Sequence, residues 1–284
     1  MKIPFFKMHG AGNDFIVVDD RAGTFPVTDT AWIRHITDRR TGVGSDGVLL
    51  IQRSDKADFR MRFFNPDGGE AEMCGNGARC AARLAAELGA APARMTIETM
   101  AGLLEAEARG DTVRLRMTDP RDWRMNQTLE TEGRTWCYGF VNSGVPHVVI
   151  RVDRLEEVPV ERVGAAIRRH PAFQPAGTNV NFIQITGPDA LRIRTYERGV
   201  EAETLACGTG IVASALVAAR AGWVRPPVRV ITVAGYGLSV DFVARDGVWQ
   251  NVVLEGPAEH VFVGTLTYWR GAHPEGGEGA GRRS

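Results

Sequence analysis

Short runs of apolar residues, separated by turn-forming residues, dominate the hydrophobic pattern of the chain. The runs are rich in β-branched residues and are bounded by Gly, Asn, Asp and Pro, which is typical of β-strands. They predict strands at residues 15–18, 48–51, 61–64, 112–117, 148–150, 182–185 and 238–243. We therefore expect more strand than helix.

Helical spacing of apolar residues occurs in fewer segments. It predicts helices at residues 29–40, 74–88, 160–170 and 207–221. Two of these segments are alanine-rich and are followed by Gly89 and Gly222, and glycine is the residue favoured just beyond a helix C-terminus. Strands and helices together predict an α/β or α+β fold.

The two alanine-rich helices belong to an internal repeat. Each begins with Cys-Gly-x-Gly, at residues 74–77 and at residues 207–210. The flanking segments also correspond, because Met61-Arg62-Phe63-Phe64-Asn65 precedes the first motif much as Ile193-Arg194-Thr195-Tyr196-Glu197 precedes the second. Two similar halves, each with one such helix, predict two pseudo-symmetric domains that face each other.

The boundary between these halves is expected at Asp119-Pro120, where a strand run gives way to a polar, turn-forming stretch. It divides the chain into domains 1–118 and 119–261. The segment 271–284 is rich in Gly, Glu and Arg without periodicity, so we predict a disordered tail there.

Composition points to a globular enzyme: 44% of the 284 residues are apolar and 24% are charged. The 34 basic and 34 acidic residues balance, which argues against nucleic acid or an anionic membrane as partner. No apolar stretch of about 18 residues occurs, so a membrane-spanning helix is not expected. The N-terminal segment resembles no signal peptide, and we predict a cytoplasmic protein.

The 4 cysteines, at 74, 80, 137 and 207, are too few and too scattered for a secreted disulfide framework. Zinc is disfavoured because there is no Cys-x-x-Cys and no histidine lies at ligand spacing from a cysteine. Cys80 and Cys137 are predicted to be buried packing residues. The duplication of the motif instead indicates a chemical role for Cys74 and Cys207.

A thiol in the first turn of a helix lies near unpaired N–H groups and the positive end of the helix dipole, which favour thiolate. The glycines of each motif would let a carboxylate approach the N–H groups of Gly75 and Asn76, and of Gly208 and Thr209. A carboxylate held between two such helices has one thiol on each face of its α-carbon. One thiolate can then remove the α-proton while the other thiol protonates the opposite face. This chemistry is that of an amino-acid racemase or epimerase.

A cofactor is not expected. Pyridoxal phosphate requires a Schiff-base lysine, and the lysines are Lys2, Lys7 and Lys56, of which only Lys7 adjoins a suggestive segment. The segment 42–47 matches Gly-x-Gly-x-x-Gly, but it leads into a strand rather than a helix. A dinucleotide site needs the opposite order, so we interpret this segment as a turn.

The chain resembles the diaminopimelate epimerase family. The motifs that carry the resemblance lie in order at residues 6–15, 64–68, 73–79, 144–147, 196–199 and 206–210. The resemblance covers residues 1 to about 270 and implies two domains, each a mixed β-sheet wrapped around a central helix, with residues 262–270 joining the first domain. It also implies interconversion of LL- and meso-2,6-diaminopimelate, for lysine and peptidoglycan precursor synthesis, without cofactor or metal.

The resemblance assigns roles by position. It makes Cys74 and Cys207 the acid/base pair and implies that His147 and Glu197 tune their pKa values. The residues it implies for substrate binding are Asn13, Asn65, Gly75, Asn76, Asn179, Glu197, Arg198, Gly208 and Thr209. Two departures concern the distal end of the substrate: many members have asparagine in place of Val145, and some have glutamine in place of Gly47.

Two other interpretations stay open at this point. Proline and hydroxyproline racemases share the fold and the cysteine pair, although they usually carry histidine at the position of Asn76 and lack the Asn13-Asp14-Phe15 opening. A non-catalytic thiol or small-anion-binding protein would keep the duplicated fold without proton transfer. The expected partner is a small amino acid, and a homodimer is compatible with the resemblance.

Overall fold

A computed structural model of the chain describes residues 1–268, so the tail predicted at 271–284 lies outside the described residues. The helices are α1 Thr30–Thr37, α2 Gly75–Glu87, α3 Val160–Arg168 and α4 Gly208–Arg220. The strands are β1 Lys2–Gly10, β2 Asn13–Asp19, β3 Val48–Gln52, β4 Phe59–Phe64, β5 Glu70–Ala71, β6 Arg94–Thr99, β7 Gly102–Arg109, β8 Thr112–Arg116, β9 Arg121–Thr131, β10 Arg134–Asn142, β11 Pro146–Arg151, β12 Asn179–Gly187, β13 Ala190–Glu197, β14 Ala202–Thr204, β15 Val228–Ile231, β16 Gly237–Arg245, β17 Val248–Pro257 and β18 Glu259–Thr267.

Each predicted strand and helix overlaps an element of the same type. Gly89 and Gly222, just beyond α2 and α4, have φ values of 63° and 75°. That left-handed conformation is the one in which glycine ends a helix without strain. Residues 42–47 form turns that lead into β3, as predicted.

The two halves repeat one pattern of strand pairing. In the first, β2 and β3 are parallel, β3 and β4 antiparallel, β4 and β6 parallel, and β6, β7 and β8 antiparallel in turn. In the second, β11 and β12 are parallel, β12 and β13 antiparallel, β13 and β15 parallel, and β15, β16 and β17 antiparallel in turn. The internal repeat of the sequence is therefore a repeat of the fold.

Three further pairings join the halves into one 18-stranded sheet. β8 pairs antiparallel with β17, with Leu115 opposite Leu254. β9 pairs with β10 in a hairpin, and β18 crosses back to pair with β1. Residues 117–120 link β8 to β9 without regular structure, which supports our proposal of a boundary between domains 1–118 and 119–261.

The helices α2 and α4 are the central helices of the two halves. Their inner faces, which include Ala81 and Leu84 on α2 and Ile211 and Leu216 on α4, are buried in one continuous hydrophobic cluster. Burying a side chain such as Leu or Ile stabilises the fold by about 1.5–3 kcal/mol. The helices α1 and α3 cover the outer faces of the sheet over separate clusters. The first turns of α2 and α4 are thus held by a packed core.

The two remaining cysteines differ from each other. Cys80 is buried in α2, as predicted. The prediction for Cys137 is wrong, because this residue is exposed on β10 opposite Thr128. One face of the β9–β10 hairpin meets solvent, and alternation along β10 turns Trp136 and Tyr138 inward and Cys137 outward. Within residues 1–268, no helix is long and apolar enough to span a membrane.

Candidate active site

Cys74 and Cys207 each occupy the position immediately before a central helix. Their backbones are extended, with φ and ψ of −137° and 118° at Cys74 and −115° and 108° at Cys207, and the helices begin at Gly75 and Gly208. Cys207 is buried and Cys74 is half-buried. Both thiols therefore lie beside the unpaired N–H groups of a helix N-terminus.

The first glycine of each motif leaves open space. A Cβ added at Gly75 would meet no atom within 4 Å, and one at Gly208 would meet only Leu254 Cδ2, at an ordinary 3.4 Å. A small anion can therefore reach the N–H groups of the first turn at these two positions.

The second glycine of each motif serves packing instead. A Cβ at Gly77 would lie 3.0 Å from Leu49 Cδ2, and one at Gly210 would lie 2.5 Å from Asn181 Oδ1. The sequence predicts that all four glycines allow anion approach, and for Gly77 and Gly210 that prediction is wrong. These two glycines bring each helix close to the sheet that surrounds it.

Hydrogen bonds around Cys74 connect the two halves. Asn13 Oδ1 accepts from the Cys74 thiol at 3.6 Å and from Asn76 Nδ2 at 3.2 Å. Asn13 Nδ2 donates to Asp46 Oδ2 at 2.6 Å, which orients the amide. Asn76 Nδ2 also lies 3.5 Å from the carbonyl oxygen of Ala206, the residue before Cys207. The start of α2 is therefore in contact with the start of α4, and both cysteines belong to this junction.

Cys207 lies beside a carboxyl group. Its Sγ is 3.6 Å from Thr209 Oγ1, and Glu197 Oε2 accepts from Thr204 Oγ1 at 2.9 Å. Burial raises the pKa of Cys207 to about 12, and the negative charge of Glu197 acts in the same direction. Burial also raises the pKa of Glu197, against the opposing effects of Thr204 and Cys207. The local charge therefore favours the protonated thiol at Cys207.

Burial also raises the pKa of the Cys74 thiol, and the negative charge of Glu197 adds a smaller effect in the same direction. The backbone amides of Gly77 and Asn76 and the guanidinium group of Arg79 oppose this shift and lower the pKa of Cys74. The helix N-terminus thus acts in the direction that the sequence predicted. Burial, which no local sequence pattern records, has the larger effect on the pKa of Cys74 and outweighs the helix.

Two of the predicted substrate-binding residues of the second half, Asn179 and Arg198, contact each other. Asn179 Oδ1 accepts from the backbone N–H of Arg198 at 2.7 Å, and Arg198 Nη1 donates to the carbonyl of Ala176 at 2.6 Å. Asn179 therefore fixes the backbone that carries Arg198.

Asn65 is a predicted substrate-binding residue of the first half. It follows β4 in a turn closed by Gly68, and its side chain makes no hydrogen bond to another residue in 1–268.

His147 is fully buried on β11. Its Nδ1 is 3.1 Å from Asn181 Nδ2, and its Nε2 has no hydrogen-bond partner within the described chain. Burial, with a smaller contribution from the charge of Arg198, lowers the pKa of His147 to about 3. The ring is therefore neutral near pH 7, and its proposed effect on the cysteines stays a prediction.

The two departures from the family pattern have different structural settings. Gly47 precedes β3, where an added Cβ would lie 2.5 Å from both Phe63 Cε2 and Phe64 O. The backbone there has no room for a glutamine side chain. Val145 is half-buried in a turn in which the N–H of Ser143 donates to its carbonyl.

Sequence reasoning missed several residues that hold the site together. They are Asp46, Arg79, Asn181 and Thr204. Of these four, only Asn181 could have been predicted from the sequence, because it lies two residues from Asn179 on β12 and so shares its face.

Residues 1–268 contain no group of three or more His, Cys, Asp or Glu that could hold a metal ion. Lys7 is buried and ion-paired with Asp14.

Comparisons with known proteins agree with this arrangement. Residues 5–123 and 139–261 match the family model described as diaminopimelate epimerase. A relative of that name from Aquifex aeolicus strain VF5 is 44% identical over 275 residues, covering 93% of this chain and 97% of the relative. Another from Chlorobaculum tepidum is 46% identical over 264 residues, covering 92% of this chain and 100% of the relative.

Solved structures of similar fold are more distant in sequence. A phenazine biosynthesis protein of the PhzF family from Bacillus anthracis superposes with a TM-score of 0.72 at 18% identity, covering 94% of this chain and 100% of that one. A probable proline racemase from Agrobacterium radiobacter K84 gives a TM-score of 0.66 at 18% identity, covering 95% and 94%. These two likenesses concern the fold alone.

Proposed function

The chain belongs to the diaminopimelate epimerase family, and we propose that Cys74 and Cys207 are the acid/base pair with which it interconverts LL- and meso-2,6-diaminopimelate. The reaction is an isomerisation. The observation that carries the mechanism is the contact between Asn76 and Ala206, which brings two cysteine-initiated helices to one junction. The two thiols supply both base and acid, so the proposal uses neither pyridoxal phosphate nor a metal.

The reacting carboxylate is proposed to bind between the helices. The N–H groups of Gly75 and Asn76 on one side, and of Gly208 and Thr209 on the other, lie in the first helical turn and have no partner within the helix. A Cβ at Gly75 or Gly208 would meet no atom closer than 3.4 Å. As the α-proton leaves, negative charge spreads onto this carboxylate. The two helix N-termini stabilise that charge more in the transition state than in the ground state, which lowers the barrier.

The proton balance of the step is simple. The α-carbon–hydrogen bond breaks and its proton passes to a cysteine thiolate, while the carbanion takes a proton from the thiol on the opposite face. The first cysteine ends as thiol and the second as thiolate. No proton is gained or lost overall, and the pair is then set for the reverse direction.

Five polar side chains are proposed to recognise the charged groups of the substrate: Asn13, Asn65, Asn179, Glu197 and Arg198. Amides offer both a donor and an acceptor to a zwitterion, and Arg198 can bind a carboxylate through two parallel hydrogen bonds. Because Gly47 has no room for a side chain, the distal end of the substrate is proposed to use backbone or water contacts there. His147 and Glu197 are proposed to tune the thiols, and lysine and peptidoglycan precursor synthesis in the cytoplasm is the proposed setting.

A homodimer is proposed through β18. Within residues 1–268 this strand pairs with β1 alone, and Val261, Phe262 and Val263 are exposed along it. An exposed apolar edge strand favours pairing with a second copy. Sedimentation of Val263→Lys beside wild type tests this: a shift from dimer to monomer supports the interface, and an unchanged dimer places it elsewhere.

The function is tested by α-deuterium exchange of LL-diaminopimelate in D2O, followed by NMR, with wild type, Cys74→Ser and Cys207→Ser. We expect exchange with inversion for wild type and a loss of at least about 1,000-fold in either variant, because each thiol is needed on its own face. Cys137→Ser, at the exposed cysteine, is the control and should keep wild-type exchange. Exchange of proline instead of diaminopimelate would select a proline-type racemase, and no exchange of either would contradict proton transfer.

A further inference from the structure

Arg79 is a fully buried arginine of α2. Within residues 1–268 it has no ion-pair partner, whereas most of the other buried or half-buried arginines bind a carboxylate. Arginine stays protonated in proteins, and burying a guanidinium group without an anion is costly. A fold that keeps such a charge beside its candidate acid/base pair calls for an explanation.

The backbone makes a slot for this side chain. Arg79 Nε donates to the carbonyl of Pro257 at 3.2 Å. A Cβ at Gly10 would lie 3.2 Å from Nη2, and one at Gly256 would lie 3.2 Å from Nε. The guanidinium group therefore lies between β1 and β17, and glycine on each strand leaves room for it. Its Nη1 has no hydrogen-bond partner in the described chain.

A continuous set of contacts runs from Arg79 to Cys74. Arg79 Nη2 donates to Asn76 Oδ1 at 2.9 Å, and Asn76 Nδ2 donates to Asn13 Oδ1 at 3.2 Å. The same oxygen of Asn13 accepts from the Cys74 thiol. Arg79 thus orients the amide next to the thiol, and its positive charge acts against the burial that raises the pKa of Cys74.

The second half lacks this charge. Arg79 lies five residues after Cys74, and the residue five positions after Cys207 is Val212, which is fully buried in the core. The charged group close to Cys207 is instead the carboxyl group of Glu197. The charge of Glu197 acts on both thiols, whereas the positive charge that Arg79 adds near Cys74 has no counterpart at Val212.

We propose that Arg79 is a positioning residue that stabilises the thiolate of Cys74. Because Glu197 disfavours a thiolate at Cys207, Cys74 is then the thiol that loses its proton first. This inference rests on the proposed function for its meaning in turnover. The order of deprotonation can be measured without turnover. Without bound substrate the pair is then thiolate at Cys74 and thiol at Cys207 once the first proton leaves.

Arg83 provides a matched control one turn further along α2. It donates to the carbonyl of Ala258, next to the residue that Arg79 contacts, and it is ion-paired with Glu87. It therefore anchors the same helix to the same segment. Its charge acts on Cys80, and among the described residues it has no hydrogen bond to Asn76 or Cys74. A purely structural role for Arg79 predicts the same outcome at both positions.

The first experiment measures alkylation of Cys74 by iodoacetamide from pH 6 to 11, with the labelled peptide quantified by mass spectrometry. Arg79→Gln and Arg79→Lys both lose the planar guanidinium fork, and only lysine keeps the charge. We expect alkylation at pH 8 to fall about tenfold in Arg79→Gln, the change that one unit of pKa produces, and to stay within about threefold in Arg79→Lys and Arg83→Gln. A folded Arg79→Gln protein with the wild-type pH profile overturns the proposal.

A second measurement does not depend on the folding of Arg79 variants. In 15N-labelled protein, the Nε resonance of Arg79 should shift over the pH range in which Cys74 is alkylated, and it should stay still in Cys74→Ser. An Nε shift that is the same in both proteins also overturns the proposal. Neither readout needs turnover, so their failure leaves the epimerase function standing, whereas absent α-proton exchange contradicts the function and leaves the charge assignment standing.

Discussion

The glycines of the second motif allow stability and activity to be separated by two alanine substitutions on one helix turn. In Gly210→Ala, the new methyl group would lie 2.5 Å from Asn181 Oδ1. Asn181 cannot move cheaply, because its amide also binds Val148 O at 2.9 Å and its oxygen accepts from Thr195 Oγ1 at 3.0 Å. In Gly208→Ala the same methyl group would meet only Leu254 Cδ2, at an ordinary 3.4 Å.

The expected magnitudes follow from these contacts. Overpacking a core costs about 1–3 kcal/mol, and leaving the buried Thr195 hydroxyl unpaired costs about as much again. Replacing glycine by alanine in a helix returns about 1 kcal/mol. For Gly210→Ala we therefore expect a loss of about 3 kcal/mol in the free energy of unfolding. At about 2–4 °C for each kcal/mol, this lowers the Tm by about 6–12 °C.

Gly208→Ala is expected to behave in the opposite way. Its Tm should stay within about 2 °C of wild type, while α-deuterium exchange should fall about 100-fold, because the methyl group occupies the approach to the helix N–H groups that the carboxylate needs. The assays are thermal unfolding by circular dichroism and NMR exchange at a temperature where all variants are folded. A Gly210→Ala protein that melts with wild type, or a Gly208→Ala protein of full activity, would refute the reasoning.

Three further predictions concern the titratable groups. The pKa of Cys80 and that of Cys207 are each raised to about 12. Above about pH 8.5 the unfolded chain therefore releases protons that the native state keeps. The free energy of unfolding should then fall by about 1.4 kcal/mol per pH unit for each thiol. Denaturation of Cys80→Ala from pH 8 to 10 should show a shallower fall, and an equal slope would contradict this. His147, with a pKa lowered to about 3, should contribute a loss of stability as the pH falls from about 6.5 toward 3, and His147→Gln should flatten that limb in urea titrations. Air oxidation should join Cys74 to Cys207, lower the free-thiol count by two and stop exchange until reductant is added; reductant without effect on either would rule this out.

The strands predicted from sequence have either a continuous apolar run or a regular alternation of apolar and polar residues. β3 reads Val-Leu-Leu-Ile and is buried on both faces, so its composition alone identified it. β9 is exposed along most of its 11 residues, and β18 is exposed along much of its length. Their sequences lack a long buried run, and pairing with a neighbouring strand rather than burial keeps them extended. The hydrophobic pattern therefore could not predict them.

The candidate site was predictable as far as its chemistry is encoded locally. The motif fixed the position of Cys74 and Cys207 at helix starts, because glycine and alanine spacing marks those starts. The burial that raises both pKa values depends on the two halves meeting, and no local pattern records that contact. The same holds for Arg79, whose slot is made by Gly10 and Gly256 from distant parts of the chain.

The exchange of end strands between the halves has a consequence for how this architecture could arise and assemble. If the chain is divided after β9, each unit of nine strands gives its last strand to the other unit, since β9 pairs with β10 and β18 pairs with β1. Two separate copies of one unit would complete each other's sheets by the same exchange, as in a strand-swapped dimer with two-fold symmetry. The present chain is then equivalent to such a dimer fused end to end. In one fused chain the two halves can carry different residues at corresponding positions, and Arg79 and Val212 are such a pair at the core of the site.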